Sequence, residues 1–311
     1  MSNATFASTQ IVDYFISLFY VFESTLDSSL KPVEETTKAV LSSLVPSLYS
    51  NVGQYFASSA SPFASRLPLM NFFHVFVIML SYLSLVFGGK ALMEKREKFN
   101  MKLVSLFHNL FLVLLSTYMC GTILIEAWRQ GYGLFGNPVD KTERGWQMAK
   151  YTWLFYVSKI AEFMDTYIMV LKKNNRQITF LHVYHHCSIF VIWWAVVYIA
   201  PNGETYFSAA LNSAVHIVMY GYYLSTTLSM PIRFLKRYIT LFQMTQFTMM
   251  MIQATYDIIL FRFVKADSEE KYPFDLAALL WIYMWTMLGL FANFFKKDRL
   301  REQQQKLAKK E

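Results

Sequence analysis

Seven mostly apolar runs, separated by short polar breaks, constrain this sequence more than any other feature. The runs cover residues 67–89, 103–127, 147–171, 178–199, 206–226, 238–261 and 275–295. Each is close to the roughly 20 apolar residues that an α-helix needs to cross a bilayer, and helices are the default because unpaired backbone groups are costly in lipid. Only 16% of the residues are charged, against about 25% in a typical soluble domain. The runs therefore predict an all-α integral membrane protein with seven transmembrane helices, and they exclude a soluble enzyme, a disulfide-rich secreted domain and a disordered chain.

The first 66 residues differ from the rest of the chain because they are rich in Ser, Thr and Ala. Their one apolar stretch, Ile11 to Phe22, is too short to span a membrane, and its acidic flanks argue against a cleaved signal peptide. An interfacial or capping helix is predicted here. The sequence thus divides into a non-spanning N-terminal segment (1–66), a seven-helix domain (67–297) and a basic tail (298–311).

The charge of the polar breaks alternates along the chain. Eighteen of the 29 Lys and Arg residues fall in four stretches, 90–102, 172–176, 233–237 and 296–310. Basic loops of membrane proteins face the cytosol, so these stretches are predicted to be cytosolic, with a lumenal N-terminus and a cytosolic C-terminus. The net charge of +8 indicates attraction to an anionic leaflet and not nucleic-acid binding.

Polar side chains inside the predicted helices are the candidate functional residues, because such groups are expensive in lipid. They lie in the third to sixth runs: Lys159, Glu162, Asp165 and Thr166; His182, His185 and His186; Asn212, His216, Tyr220 and Tyr223; Thr240, Gln243 and Gln246. Their spacing in the third and fifth runs places each set on one helix face. The His, Glu, Asp and Gln side chains lie roughly 7–15 Å from the cytosolic ends of their helices. The sequence therefore predicts one buried polar chamber that opens to the cytosol, with an apolar space beneath it.

The histidine cluster at 182–186 leaves three interpretations open. Imidazole suits iron, and membrane di-iron desaturases and hydroxylases use histidine boxes of this spacing, but they draw ligands from several boxes and only His216 lies at a matching depth here. A neutral imidazole can instead attack a thioester as a nucleophile. A lipid receptor or transporter is the third interpretation, although it has no need of such a cluster. His74 and His108 are interpreted as structural residues.

Four motifs, in the same order along the chain, resemble those of the ELO family of fatty-acid elongases. The motifs are Lys159-x-x-Glu162-x-x-Asp165-Thr166, His182-x-x-His185-His186, His216-x-x-Met219-Tyr220-x-Tyr222-Tyr223 and Thr240-x-x-Gln243-x-x-Gln246. Lys173-Asn174-Asn175 precedes the histidine box, as the family pattern requires. The resemblance covers about residues 67–297, and the first 66 residues lie outside it.

This resemblance implies an endoplasmic-reticulum enzyme with seven helices, six of them in an inverted barrel around a narrow acyl tunnel and the first outside it. It implies the condensing step of elongation, in which malonyl-CoA and a long-chain acyl-CoA give 3-oxoacyl-CoA, CoA and carbon dioxide without a cofactor or a metal. The run from Leu181 to Cys187 resembles the branch that acts on polyunsaturated chains. The implied partners are the two CoA substrates, membrane lipids and the other enzymes of the elongation cycle, with a homodimer left open and no nucleic acid.

Residue roles follow from the same resemblance. His185 would attack the acyl thioester and hold the chain as an acyl-imidazole, and His216 would assist as an acid or base. The other catalytic candidates are His182 and His186 to orient His185, Asn212, Gln243 and Gln246 as oxyanion donors, Asp165 and Glu162 behind the histidines, and Lys159 paired with Glu162. The substrate-binding candidates are Lys172, Lys173, Asn174, Asn175, Arg176, Tyr220, Tyr223, Arg233, Lys236 and Arg237.

The tunnel is expected to close at its lumenal end. Bulky residues favour a floor near residues 120–125, Ile199 or residues 256–263. A membrane di-iron desaturase or hydroxylase remains the alternative function.

Overall fold

The computed structural model describes residues 2–259, 263 and 272–307, and within these ranges it contains no β-strand. The α-helices of this part of the chain are α1 (Ser2–Leu44), α2 (Pro46–Ser59), α3 (Phe72–Glu94), α4 (Lys102–Gln130), α5 (Trp146–Leu171), α6 (Phe180–Ile199), α7 (Thr205–Thr227), α8 (Lys236–Ile259) and α9 (Phe274–Leu307). Short 3₁₀ turns occur at Ala64–Arg66, Glu143–Gly145 and Arg233–Leu235.

Helices α3 to α9 correspond in order to the seven predicted runs. Four of them, α3, α4, α6 and α9, are long and apolar enough to cross a membrane, and the chain is a membrane protein. Helices α5, α7 and α8 have similar lengths but carry the polar sets noted above. These polar groups turn inward: Lys159, Glu162 and Thr166 of α5 are at most 2% exposed.

Six helices form a closed ring of neighbours. Helix α5 packs against α4 and α6, α4 against α7, α7 against α8, α8 against α9, and α9 against α6. Helix α3 lies outside this ring, against α5 and α6. On α5, Trp153, Phe155 and Tyr156 are fully buried. The ring therefore creates an interior onto which the polar faces of several helices can converge.

Residues 67–71 are not helical, although the first apolar run begins at residue 67 and α3 begins at Phe72. Asn71 caps α3, because its side chain accepts a hydrogen bond from a backbone amide of the first turn. The indole N–H groups of Trp153 and Trp194 donate to the carbonyls of Pro68 and Met70 at 2.9 and 3.0 Å. These partners satisfy backbone groups that would otherwise be buried without a hydrogen bond, so the segment needs no helix of its own.

Helix α1 is docked on the bundle through its apolar side. It contacts α3 and α5, and Val12 and Ile16 are buried in the core cluster that includes residues of α5. The ring of Phe19 meets Trp153 edge to face, with 5.5 Å between ring centroids. Helix α2 adds Phe56, whose ring lies 5.2 Å from that of Trp194. The N-terminal segment therefore packs on the helical domain.

Polar contacts hold the same segment at the start of α3. Glu23 Oε1 accepts a hydrogen bond from the amide of Leu69 at 2.9 Å, and Glu34 Oε1 accepts one from Asn71 Nδ2 at 3.0 Å. These carboxylates come from α1 and meet the chain just before α3. The first apolar run is thus positioned by residues that lie outside the seven-run pattern.

We expect the ion pair between Asp13 and Lys150 to stabilise this docking. Lys150 Nζ lies 2.8 Å from Asp13 Oδ1, with the Lys150 side chain 6% exposed. Asp13→Asn should lower the free energy of unfolding by about 1–3 kcal/mol, because a buried ammonium loses its partner. Adding Lys150→Met should recover most of the loss, because the uncompensated charge is then gone. Thermal unfolding of the purified protein measures both changes.

The matched control is Asp298→Asn, which breaks the more exposed pair between Asp298 and Lys236. That variant should change stability by less than about 1 kcal/mol. Equal losses in Asp13→Asn and Asp298→Asn would contradict a docking role for the first pair.

Candidate active site

Helices α5 and α7 meet in a buried ion-pair cluster around Glu162. Lys159 and Glu162 are three residues apart on α5 and share a face, with Lys159 Nζ 2.7 Å from Glu162 Oε1. The same oxygen lies 3.3 Å from Nδ1 of His216 on α7. All three side chains are at most 7% exposed. Removing one member of such a group would strand a buried charge, so the cluster fixes α7 against α5.

Lys159 also orients the amide of Asn212. Its Nζ lies 3.4 Å from Asn212 Oδ1, and an ammonium group can only donate. The amide oxygen therefore faces Lys159, and Nδ2 is free to serve the cavity that Asn212 lines. This makes Lys159 a positioning residue for a neutral hydrogen-bond donor.

A second cluster, around Asp165, joins α5 to α4 and α7. His108 Nε2 lies 2.9 Å from Asp165 Oδ1, and the Tyr220 hydroxyl donates to Asp165 Oδ2 at 2.7 Å. The Tyr220 ring meets His216 edge to face, with 5.5 Å between centroids. The two clusters are therefore contiguous.

His108 was predicted to be a structural residue, apart from this site. His108 lies about 9 Å from the cytosolic end of α4, which is the same depth as the other polar groups. That depth is the signal that could have grouped it with Asp165.

The three imidazoles of the histidine box have different surroundings. His182 Nε2 lies 2.8 Å from Thr166 Oγ1, which is 3.0 Å from the Tyr82 hydroxyl. The ring of His186 packs on that of His182, 4.5 Å between centroids, and its Nδ1 has no hydrogen-bond partner in the described part of the chain. Of the three, His185 alone lines the cavity described next.

One cavity runs from His185 between α6, α7, α8 and α9. Three polar residues form its near end: His185, Asn212 and Gln246. Apolar and aromatic residues line the middle: Ile189, Ile192, Trp193, Val196, Phe247, Met250, Leu279, Leu280, Tyr283 and Met284. Residues of mixed polarity form the far end: Glu204, Thr205, Ser208, Gln253, Asp257, Tyr272 and Leu276. The shape and lining suit a long apolar chain whose head group lies at His185.

The far end of the cavity overlaps the predicted floor only at Asp257, within the range 256–263. Neither Ile199 nor Tyr256 is among the described lining residues, and Tyr256 is 42% exposed. Asp257, one residue further and about 100° around the helix, faces the cavity instead. Residues 120–125 do not line it either, and residues 260–262 lie outside the described part of the structure.

The two amides of α8 have only weak partners. Gln243 Nε2 lies 3.4 Å from Met219 Sδ, and Gln246 Nε2 lies 3.8 Å from Met250 Sδ. A thioether is a weak acceptor, so both amides can still donate to a ligand, and Gln246 is the one that lines the cavity. Tyr223 is 40% exposed, and its ring meets that of Tyr220 edge to face at the border of the second cluster, with 6.0 Å between centroids.

The candidate CoA-binding residues lie in the α5–α6 and α7–α8 loops. Lys173 Nζ donates to the carbonyls of Glu94 and Arg96 at 3.2 and 2.9 Å, which ties this loop to the end of α3. Lys172 and Arg176 are exposed, and no partner is described for either. These two cations are therefore the freer members of the set.

The remaining members have local partners. Asn174 Nδ2 donates to Gln177 Oε1 at 2.7 Å, while Asn175 is exposed. Lys236 is paired with Asp298 at 2.8 Å, and Arg237 donates to the hydroxyl of Tyr238. The Arg233 side chain lies outside the described part of the structure.

Among the described residues, no group of three or more His, Cys, Asp or Glu side chains is arranged to hold a metal ion. The imidazole of His182 contacts the Thr166 hydroxyl and the ring of His186. Those of His108 and His216 contact carboxylates.

Known proteins match this chain over most of its length. The model of the ELO family, described as the GNS1/SUR4 family, matches residues 67–307. Fatty acid elongase 6 of Leishmania major is 41% identical over 261 residues, which cover 82% of this chain and 67% of that protein. Very long chain fatty acid elongase 5 of Rattus norvegicus is 35% identical over 253 residues, covering 79% and 82%. Very long chain fatty acid elongase 2 of Mus musculus is 34% identical over 249 residues, covering 78% and 82%.

The family match includes both carboxylate clusters, the histidine box and the cavity, and it does not favour the di-iron alternative. The chain belongs to the ELO (GNS1/SUR4) family of fatty-acid elongases.

Proposed function

We propose that this elongase condenses malonyl-CoA with a long-chain, polyunsaturated acyl-CoA by way of an acyl group carried on His185. The observation that supports this most is the cavity, with His185 in its wall at one end and an apolar channel behind it. An acyl chain in that channel would hold its thioester carbon at His185. The polyunsaturated preference rests on the run from Leu181 to Cys187, which resembles that branch of the family.

The proposal includes seven membrane spans, α3 to α9, in the endoplasmic reticulum. Helices α4 to α9 would surround the acyl tunnel with α3 outside, a layout supported by the ring of neighbouring helices. The basic loops and the tail (298–311, of which residues 308–311 are outside the described part) would face the cytosol, and the segment 1–66 the lumen. The domain 67–297 would act alongside the other enzymes of the elongation cycle.

In the first half-reaction, His185 attacks the carbonyl carbon of the acyl thioester. The carbon–sulfur bond breaks, and the proton lost by the acylated imidazolium goes to the thiolate, so CoA leaves as the thiol. Asn212 and Gln246 share the cavity wall with His185, and their amides would donate to the oxyanion. Donors held in place in advance are most effective where water is excluded.

In the second half-reaction, malonyl-CoA loses carbon dioxide and the enolate carbon attacks the acyl carbon. The bond to His185 breaks and 3-oxoacyl-CoA forms. A proton is taken up, because a carboxylate is replaced by neutral carbon dioxide. His216 would deliver it from Nε2, since its Nδ1 faces Glu162, and the carboxylate would stabilise the protonated ring.

The covalent intermediate predicts that acyl-CoA alone releases free CoA and leaves one acyl group on the peptide that contains residues 182–186. His185→Ala should abolish both results, because the attacking nitrogen is gone. Thiol titration measures the CoA, and peptide mass spectrometry measures the adduct. His74→Ala removes a buried imidazole that does not line the cavity and should preserve both. CoA release only when malonyl-CoA is present, without an adduct, would replace this mechanism with a direct ternary complex.

We also predict that the free cations of the α5–α6 loop bind the phosphates of CoA. Replacing Lys172 and Arg176 together with Ala should raise the KM for acyl-CoA about fivefold, as expected for the loss of two exposed charge contacts. The matched control replaces Lys95 and Lys98, which are equally exposed, with Ala and should leave KM unchanged. If replacing Lys172 and Arg176 leaves KM unchanged, these two residues serve only to orient the chain in the membrane.

Leu276 should limit chain length at the far end of the cavity. Leu276→Ala should extend the longest product by about one elongation unit, because truncation of a lining residue adds space that the chain can fill. Product chain lengths are measured by mass spectrometry. Ile199→Ala is the control: Ile199 is buried in the same cluster but does not line the cavity, so its loss should only destabilise. Unchanged products with Leu276→Ala would place the limit elsewhere.

A further inference from the structure

The far end of the cavity contains polar side chains that the condensing reaction does not use. The level of Asp257 is about 16 Å along α8 from that of Gln246 at the near end. Between the two levels the walls are mostly apolar. A channel that receives only a hydrocarbon terminus gains nothing from a polar end, because burying polar atoms without partners costs free energy.

Most of these polar groups are bonded to one another. Glu204 accepts hydrogen bonds from Asn137 Nδ2 at 2.9 Å and from Gln253 Nε2 at 2.8 Å. Gln253 Oε1 accepts from Ser208 Oγ at 3.1 Å. Burial raises the pKa of the Glu204 carboxyl, while its hydrogen bonds act in the opposite direction. The side chains of this network satisfy one another's hydrogen bonds, so few of their polar atoms are free to bind a ligand.

Asp257 is the exception at this end of the cavity. It lines the cavity and is only 7% exposed, yet it has no hydrogen bond or ion pair in the described part of the chain. The nearby hydroxyls of Thr205 and Tyr272 are bonded to each other at 3.0 Å, and Glu204, which acts on Asp257 electrostatically, is a second carboxyl. A carboxyl buried to this extent needs a hydrogen-bond partner, and a ligand in the cavity that Asp257 lines could supply one.

We propose that the far end of the cavity binds a hydroxyl group at the ω end of the acyl chain, with Asp257 as its hydrogen-bond partner. The inference rests on the proposed function, in which an acyl chain fills the cavity from His185, and it adds ω-hydroxyacyl-CoA to the substrate class. A hydroxyl can both donate to and accept from a buried carboxyl, whereas a methyl terminus leaves Asp257 unpaired. An ω-carboxylate is disfavoured because it would bring a third carboxyl group, and a buried charge, next to Asp257 and Glu204.

The test is a competition between two substrates in one vessel. Purified full-length protein in lipid nanodiscs receives malonyl-CoA and equal amounts of an ω-hydroxyacyl-CoA and the unsubstituted acyl-CoA of the same length, over a series of lengths. Mass spectrometry gives the ratio of the two elongated products. Because both substrates compete for the same enzyme molecules, this ratio does not depend on the fraction of enzyme that is folded.

At the length that reaches Asp257, the wild-type chain is expected to elongate the ω-hydroxy substrate at least as well as the unsubstituted one. Asp257→Leu should lower the product ratio about fivefold, the effect of losing one hydrogen bond of ordinary strength. Asp257→Asn keeps the shape of the side chain and one acceptor oxygen, so it should give an intermediate product ratio. It replaces Asp257→Leu as the test variant if the Leu variant does not fold. Asp275→Leu, at a carboxylate that binds Tyr55 and does not line the cavity, should leave the ratio unchanged.

Two results would overturn the inference: a ratio far below one at every length in the wild type, or the same ratio in the wild type and both Asp257 variants. Asp257 would then bond only to water. If the wild-type chain fails to elongate the unsubstituted acyl-CoA at all, the proposed function is refuted instead, so the two failures can be told apart.

Discussion

The cost of placing charge in hydrocarbon governs the interior of this protein. Helix α5 carries Lys159, Glu162 and Asp165 within two turns, and none of them could remain there alone. Lys159 and Glu162 pair with each other on α5, and further partners come from other helices, with His216 on α7 beside Glu162 and His108 on α4 beside Asp165. The contacts of Glu162 and Asp165 are therefore also contacts that hold α4, α5 and α7 together. Because the same side chains surround the histidine box, assembly of the bundle and alignment of the reacting groups depend on one set of interactions.

The sequence predicted the helices and their polar faces because both follow from spacing along a single helix. Spacing does not say how far a neighbouring helix is rotated about its axis, and that rotation decides which polar groups meet. Asp165 illustrates the limit. The sequence placed it behind the histidines, whereas in the structure it binds His108 and Tyr220, and Thr166 is the residue that contacts His182. The polar far end of the cavity was missed for the same reason, since its members come from separate helices and loops.

The N-terminal segment shows how residues outside the family match can support the domain within it. Leu69 has a backbone φ of 59°, a left-handed conformation that is unfavourable for a residue with a branched side chain. Its amide donates to Glu23 of α1, and its carbonyl accepts from the Tyr156 hydroxyl at 3.2 Å. Two hydrogen bonds thus hold this peptide from opposite sides. The turn that leads into α3 is stabilised jointly by α1 and α5, which explains why a segment whose apolar stretch is short is nonetheless packed against the bundle.

The lining of the cavity also bears on how a chain would be aligned in it. Apolar burial supplies attraction that is roughly proportional to area and has no direction, so the middle of the channel can bind a chain without fixing its position along the axis. Position then depends on the two ends. At the near end, His185, Asn212 and Gln246 can recognise a polarised carbonyl. At the far end, which Leu276 and Asp257 line, Leu276 would set a steric limit and Asp257 would partner a polar terminus, as proposed above. An acyl chain of the right length would fit the far end of the cavity and at the same time place its thioester carbon at His185. A chain of another length that fits the far end would place that carbon elsewhere. Selection of the chain and alignment for attack are therefore two consequences of the same geometry, because a rigid channel couples the place where the terminus stops to the place where the carbonyl lies.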